Sequence, residues 1–268
     1  MHLEPWQWAL AVACAFLNGL AKTGVPGLGI LPVVLMLWVI PDGRLSGGAV
    51  LPMLCLADLF AVRFYRHHAQ WDQILRLSPW IGVGLLAGCL TLWRVPHDNL
   101  LNQLMGGVIL TMITIQGVRL LRKDGPVPQR WWLAAGFGIV AGFATTVANA
   151  AGPVMSLYLL SMALPKDRFM GTGAWLFCII NLVKIPLFLI PDQHGQTRIT
   201  ADTLLLDLWV APAIIIGALV GRQVFTRLPQ KAFAWIVLVL AGLGTVKMLI
   251  PSSYAATPSD QTPPAQRH

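Results

Sequence analysis

Two charged residues sit where charge is expensive. Asp58 lies near the middle of the apolar run 48–64, and Lys184 near the middle of the run 172–190. Ionisable side chains at that depth in hydrocarbon mark ion pathways, charge partners or proton relays. A third, Lys22, falls in "LAKTGVPGLG" (20–29), where glycines and a proline interrupt another apolar run. A second interruption, "TTVANAAGP" (145–153), carries Thr145, Thr146, Asn149 and Gly152. A broken helix survives in lipid only where its freed backbone groups meet protein or a water-filled cavity. The N-terminus of a half-helix offers free N–H groups and partial positive charge, which suit an anion. The chemistry expected is therefore recognition of a small anion. Lys22, Thr23 and Gly27 would act at the first break, and Thr145, Thr146, Asn149 and Gly152 at the second, with Asn181 and Lys184 alongside. Asp58 is the candidate for coupling to protons, with Lys184 expected nearby. The plainer alternatives are small residues that only pack helices, a Lys184 that snorkels to an interface and an Asp58 held in a structural pair.

Other chemistries find no support. Cys14, Cys55, Cys89 and Cys178 all fall in apolar segments, with no CxxC or Cys/His spacing, so they read as small hydrophobes rather than metal ligands or a disulfide framework. The six histidines lie in loops or termini, and neither HExxH nor GxSxG occurs. No nucleotide-binding sequence is present. The expectation is a protein without metal, cofactor or enzymatic activity.

The elements that must position these residues follow from composition. Of 268 residues, 56% are hydrophobic and 11% charged, with a mean hydropathy of +0.67. A soluble domain carries about 25% charged residues. Apolar runs of roughly 17–20 residues, each able to cross a ~30 Å core, recur along nearly the whole chain. The fold expected is an all-α polytopic membrane protein in the lipid bilayer. The polar, Pro-rich stretch 251–268 reads as a disordered tail. The start "MHLEPWQWALAVACAFLNG" lacks a basic n-region and reads as a retained membrane segment. The net charge of +8 fits basic cytoplasmic loops, and scattered basic residues without an aromatic-rich tract argue against nucleic acid. Trp6, Trp8, Trp80, Trp93, Trp131, Trp132 and Trp209 read as interfacial belt residues.

The chain also resembles itself. "WIGVGLLAG" (80–88) matches "IIIGALVG" (214–221), placing Gly84 on Gly217 and Gly88 on Gly221. "QGVRLL" (116–121) matches "GTVKML" (244–249). "ILPVVLM" (30–36) aligns with "AGPVMSL" (151–157), and "LADLF" (56–60) with "IINLVK" (179–184), bringing Asp58 near Asn181. The matches keep their order, so 1–125 and 126–250 read as duplicated halves. Each half opens with an apolar stretch, 6–40 or 131–164, that as one helix would be about 50 Å long, too long for one crossing. Each stretch is therefore expected to be a broken or re-entrant pair of half-helices. Three further segments follow it, near 48–64, 79–95 and 101–121, then 172–190, 203–220 and 232–250. That makes about eight membrane segments. With both broken stretches re-entrant, 12 Lys and Arg face the cytoplasm and 5 face outside; with both crossing, the split is 10 to 7. The positive-inside rule favours the re-entrant version, in which the halves are inverted repeats.

The stretches "FLNGLAKTGVPGLGILPVVLML", "GFATTVANAAGPVMSLYLL" and "ALPKDRFMGTGAWLFCIINLVKIPLF", with the two-half layout, resemble the sulfite exporter TauE/SafE family of bacterial membrane transporters. The resemblance covers the chain up to about residue 250, with Gly24, Gly27, Gly29 and Gly152 keeping part of the family's glycine-rich signature. It implies a multi-pass inner-membrane protein that moves sulfite, sulfonates or related organic anions. The resulting expectation is a secondary carrier that exports a small anionic substrate. A passive anion channel is the first alternative and a membrane-embedded enzyme the weaker one. Homo-oligomerisation is left open.

Overall fold

The computed structural model describes residues 3–26, 28–40, 42–94, 130–149, 151–191, 195 and 197–229, with isolated positions between 232 and 239. The expected segment 101–121, the repeat match at 116–121 and 244–249, nearly all of the expected segment 232–250, and the tail 251–268 lie outside the described residues. Within them the chain forms eight α-helices: α1 (Pro5–Thr23), α2 (Ile30–Val39), α3 (Gly43–Tyr65), α4 (Trp71–Arg94), α5 (Trp131–Ala148), α6 (Ala151–Ser161), α7 (Lys166–Leu189) and α8 (Ala201–Arg227). A 3₁₀ turn (Arg66–His68) links α3 to α4. Four helices are long and apolar enough to cross a membrane: Leu45–His68, Trp71–Thr91, Lys166–Leu189 and Ala201–Arg227. Their outward faces carry large apolar side chains such as Leu86, Leu208 and Trp209, as a lipid-facing surface requires.

Local chemistry explains the boundaries. Pro5 takes the first position of α1, where its missing N–H costs nothing, and the Glu4 N–H donates to Gln7 Oε1 at 2.8 Å. Thr200 caps α8 by accepting from the Thr203 N–H at 3.3 Å. Helix α4 begins at Trp71, eight residues before the expected 79. Its first turns, "WDQILRLS", are amphipathic rather than continuously apolar, so hydropathy alone passes over them.

Both long opening stretches are broken and double back. Gln7 Nε2 donates to Val39 O at 3.1 Å and Cys14 Sγ lies 3.2 Å from Pro32 O, so α2 runs antiparallel to α1. In the second stretch the rings of Phe137 (α5) and Tyr158 (α6) stand 5.4 Å apart, closing an equivalent hairpin. The first break is shorter than expected, because α1 continues through Thr23. The second is also shorter, because Thr145 and Thr146 are still helical and the helix runs to Ala148.

Glycines set the long-range packing. A Cβ on Gly19 would lie 2.1 Å from Ile214 O, and one on Gly24 2.3 Å from Gly221 O, so α1 and α8 run parallel in backbone contact. Helices α4 and α5 repeat this arrangement: a Cβ on Gly142 would lie 2.2 Å from Ile81 O, and Gly88 faces the Thr146 side chain. Such approaches are possible only without side chains on the facing residues. Helices α3 and α7 run antiparallel. Leu51 packs with Phe188, Asp58 bonds Asn181, and the Tyr65–His68 backbone meets Gly171.

The described connections meet at two ends. At one end Lys166 Nζ donates to Phe225 O and Leu228 O at 3.2 and 2.9 Å, and the Gln70 N–H to Thr172 Oγ1 at 3.0 Å. At the other, the Arg198 backbone packs on Gly48 and its N–H donates to Phe188 O at 3.1 Å.

Candidate functional site

The two breaks face one cavity. It has a volume of about 80 Å³, room for several waters or one small anion. The first break contributes Lys22, Pro26 and Gly29 to its wall; the second contributes Thr145, Asn149 and Gly152. Helix α7 closes one side with Gly173, Phe177 and Asn181, and α6 adds Ser156 and Leu159. Most of this wall is apolar, and a few polar groups converge on it, as in small-ligand sites generally.

The first polar group is an ion pair. Lys22 Nζ lies 2.7 Å from Asp58 Oδ1, and the Asn181 amide donates to Asp58 Oδ2 at 2.6 Å. Asp58 is fully buried behind the wall, whereas Lys22 keeps 14% of its side chain exposed and lines the cavity. The Lys22 ammonium also stands 4.3 Å from the Phe177 ring centre, a cation–π contact. The ammonium is thus the one part of the pair within reach of a ligand.

The second group centres on Lys184. Its ammonium, fully buried, donates to Thr145 O at 2.7 Å, to Thr145 Oγ1 at 3.2 Å and to Asn149 Oδ1. These acceptors belong to the last turn of α5 and its cap, the end of a helix that carries partial negative charge. Asn149 itself is left-handed (φ 50°), a conformation that Asn tolerates better than other residues with a Cβ, and its amide donates to Gly47 O at 3.2 Å. Lys184 therefore fastens the broken end of α5 to α7 and α3. Among the described residues no carboxylate pairs with it.

Several sequence expectations are redistributed by this geometry. Lys184 does not line the cavity, and Asp58 takes Lys22 rather than Lys184 as its counter-ion. Thr23 and Thr146 face helix interfaces instead of the cavity. The Thr23 hydroxyl lies 3.0 Å from Gly19 O and 2.7 Å from Ala218 O, and the Thr146 hydroxyl donates to Gly142 O at 2.8 Å. Each is one position along the helix from a cavity residue, about 100° around the axis. Gly152 lines the cavity with open space where its Cβ would stand. Gly27 lies outside the described residues. The polar wall residue that sequence reasoning missed is Ser156. Its available signal was the i, i+4 spacing from Gly152, which puts both on one face of α6.

The cysteines are free, and among the described residues no group of three or more His, Cys, Asp or Glu side chains could hold a metal. Comparison with curated proteins and with solved structures finds no match. The family profile described as "Sulfite exporter TauE/SafE" matches residues 8–248, nine-tenths of the chain. With apolar helices, two paired helix breaks and a cavity between them, the chain belongs to the sulfite exporter TauE/SafE family of membrane transporters.

Proposed function

We propose that this protein is a secondary carrier that exports sulfite, a sulfonate or a related small anion across the bacterial inner membrane. The observation that carries the reading is the cavity between the two helix breaks, with the Lys22 ammonium in its wall. Lys22 is the direct electrostatic anchor. Thr145, Asn149, Gly152 and Asn181 shape the cavity, and Lys184 adds positive potential without touching it, since charge acts strongly through a low-dielectric medium. Asp58, joined to the site through Lys22, is the residue that couples transport to protons.

The proposed architecture is a pair of duplicated halves, 1–125 and 126–250, inverted in the membrane. Its support is the reciprocal packing of α1 on α8 and of α4 on α5, together with the antiparallel course of α3 and α7. Asp58 and Asn181, equivalent in the repeat, hydrogen-bond to one another. Both hairpins are then re-entrant, and their tips approach the site from opposite sides, the arrangement that supports alternating access.

The test is uptake and efflux in reconstituted vesicles with sulfite, thiosulfate, sulfonates and carboxylates. Saturable flux of a sulfur oxyanion, driven by an imposed proton gradient, is the expected result. Flux that never saturates would make the protein a channel. Indifference to the whole panel would remove the anion-carrier reading.

A further inference from the structure

We propose that Ser156 is a direct ligand of the transported anion, donating a hydrogen bond from its hydroxyl to one of the anion's oxygens. This deepens the anion-carrier reading and rests on it. Ser156 sits in α6, one turn beyond Gly152, and both residues line the cavity. It is 3% exposed as a residue, and among the described residues its hydroxyl has no hydrogen-bond partner, but the oxygen is not closed off and opens on the cavity.

Other helical hydroxyls behave differently. Those of Ser78, Thr91, Thr146 and Ser161 each donate to a carbonyl three or four residues earlier in their own helix. That bond is the ordinary way to satisfy a hydroxyl inside an apolar helix. Ser46 also lacks a partner, but it does not line the cavity. Ser156 alone among these residues combines an unpaired hydroxyl that opens on the cavity with a place in the cavity wall. A hydroxyl that faces open space and bonds no neighbour is free to donate to whatever fills that space. An occupant of the cavity is what can pair it.

The neighbouring groups define that occupant. The first turn of α6 opens at Ala151 and Gly152, both in the wall, so its N–H groups and the positive end of the helix bear on the same space. Lys22 supplies a full positive charge from the first break. A hydroxyl donor, a helix N-terminus and an ammonium together fit a compact anion with several oxygen acceptors. The fit to a monatomic anion is poorer, because three donors of different reach converge on a group with separate oxygens.

The experiment measures equilibrium binding of radiolabelled sulfite to the detergent-purified protein, comparing the parent with Ser156→Ala and Ser161→Ala. Ser161 lies on the same helix, is buried, and spends its hydroxyl on Tyr158 O at 2.6 Å. Ser156→Ala should weaken binding about tenfold, the loss of one hydrogen bond to a charged group. Ser161→Ala should stay within twofold of the parent. Both variants must elute as monodisperse particles before binding is measured. Parent-like affinity in Ser156→Ala overturns the assignment and leaves the carrier reading intact, as does an equal loss in both variants. A parent that binds no sulfite overturns the assignment and the sulfite reading together.

Discussion

Lys184 and Lys22 are both cations at helix breaks, but they hold different kinds of partner, and substitutions should separate them. Lys184 bonds carbonyl and amide oxygens at the C-terminal end of α5, with no carboxylate partner among the described residues, so Lys184→Met leaves Thr145 O and Asn149 Oδ1 without their donor. The expected cost is about 1.5–3 kcal/mol of stability, read as a lower melting temperature in detergent, with anion binding weakened about tenfold as the wall of the cavity loosens. Asn149 contributes to the same junction by its bonds and by its left-handed backbone. Asn149→Gly loses the bonds but accepts φ 50°, whereas Asn149→Ala loses both, so the alanine variant should be about 1 kcal/mol less stable than the glycine variant. Equal melting temperatures would remove the backbone term. At Asp58 the expected effect has the opposite sign for binding. Asp58→Asn releases Lys22 from its counter-ion, so sulfite should bind more tightly while proton-driven accumulation is lost. The acid faces Lys22 on α1, Asn181 and, further off, Lys184 and Cys178 on α7, and Cys55 on its own helix. Weaker sulfite binding in this variant would show that the carboxylate assists the anion site instead of competing for its ammonium.

At the scale of helices, stability depends on where backbones touch. Gly19 on α1 and Gly142 on α5 occupy corresponding contacts, and a Cβ at either would stand 2.1 or 2.2 Å from a carbonyl oxygen of the facing helix. Gly82 and Gly136 lie on α4 and α5 with open space where a Cβ would go. Gly19→Ala and Gly142→Ala should therefore each cost about 1–3 kcal/mol, the usual price of overpacking, while Gly82→Ala and Gly136→Ala should be neutral or slightly stabilising. Thermal unfolding of the four purified variants checks the contrast, and similar losses at all four would refute the contact argument. These contacts also show which parts of the fold were legible in sequence. Four of the apolar runs and both interruptions stand out in a linear reading, because polar residues in a long apolar stretch are visible without knowing any neighbour. Gly84 and Gly217, matched in the expected repeat, both sit at close helix contacts, Gly84 at Ile139 O and Gly217 at Phe16 O. What each glycine touches was not legible, since that depends on which helix lies opposite. The same limit applies at the cavity. Lys22, Asp58 and Asn181 could be picked as site residues, but their union requires α1, α3 and α7 to meet. Thr146 could not be separated from Thr145 without the rotation of α5 about its axis.

At the scale of the whole molecule, the two clusters of loops give topology a test that is independent of transport. The turn after α3, the start of α7 and the end of α8 meet at one end through Gln70–Thr172 and Lys166–Leu228. Arg63, Arg66, Lys166, Arg168, Arg222 and Arg227 belong to these same stretches. A concentration of basic residues at one end is the signature of the cytoplasmic side. The opposite end holds Asp42, the end of α7 and Arg198, so it should face the periplasm. Single cysteines in a cysteine-free background can distinguish the ends. Positions 67, 167 and 228 should resist an impermeant thiol reagent applied outside intact cells and react after permeabilisation. A cysteine at 195, in the α7–α8 connection, should react from outside in both conditions. The connection between α7 and α8 carries the strongest constraint, because α8 then has to enter from the periplasm and return the chain to the basic end. Labelling of position 228 from outside, with 67 and 167 protected, would place the two ends of one structural cluster on opposite sides of the membrane. The hydrogen bond from Lys166 Nζ to Leu228 O, which holds the end of α8 against the start of α7, does not allow that, so the result would reject the packing and the topology together.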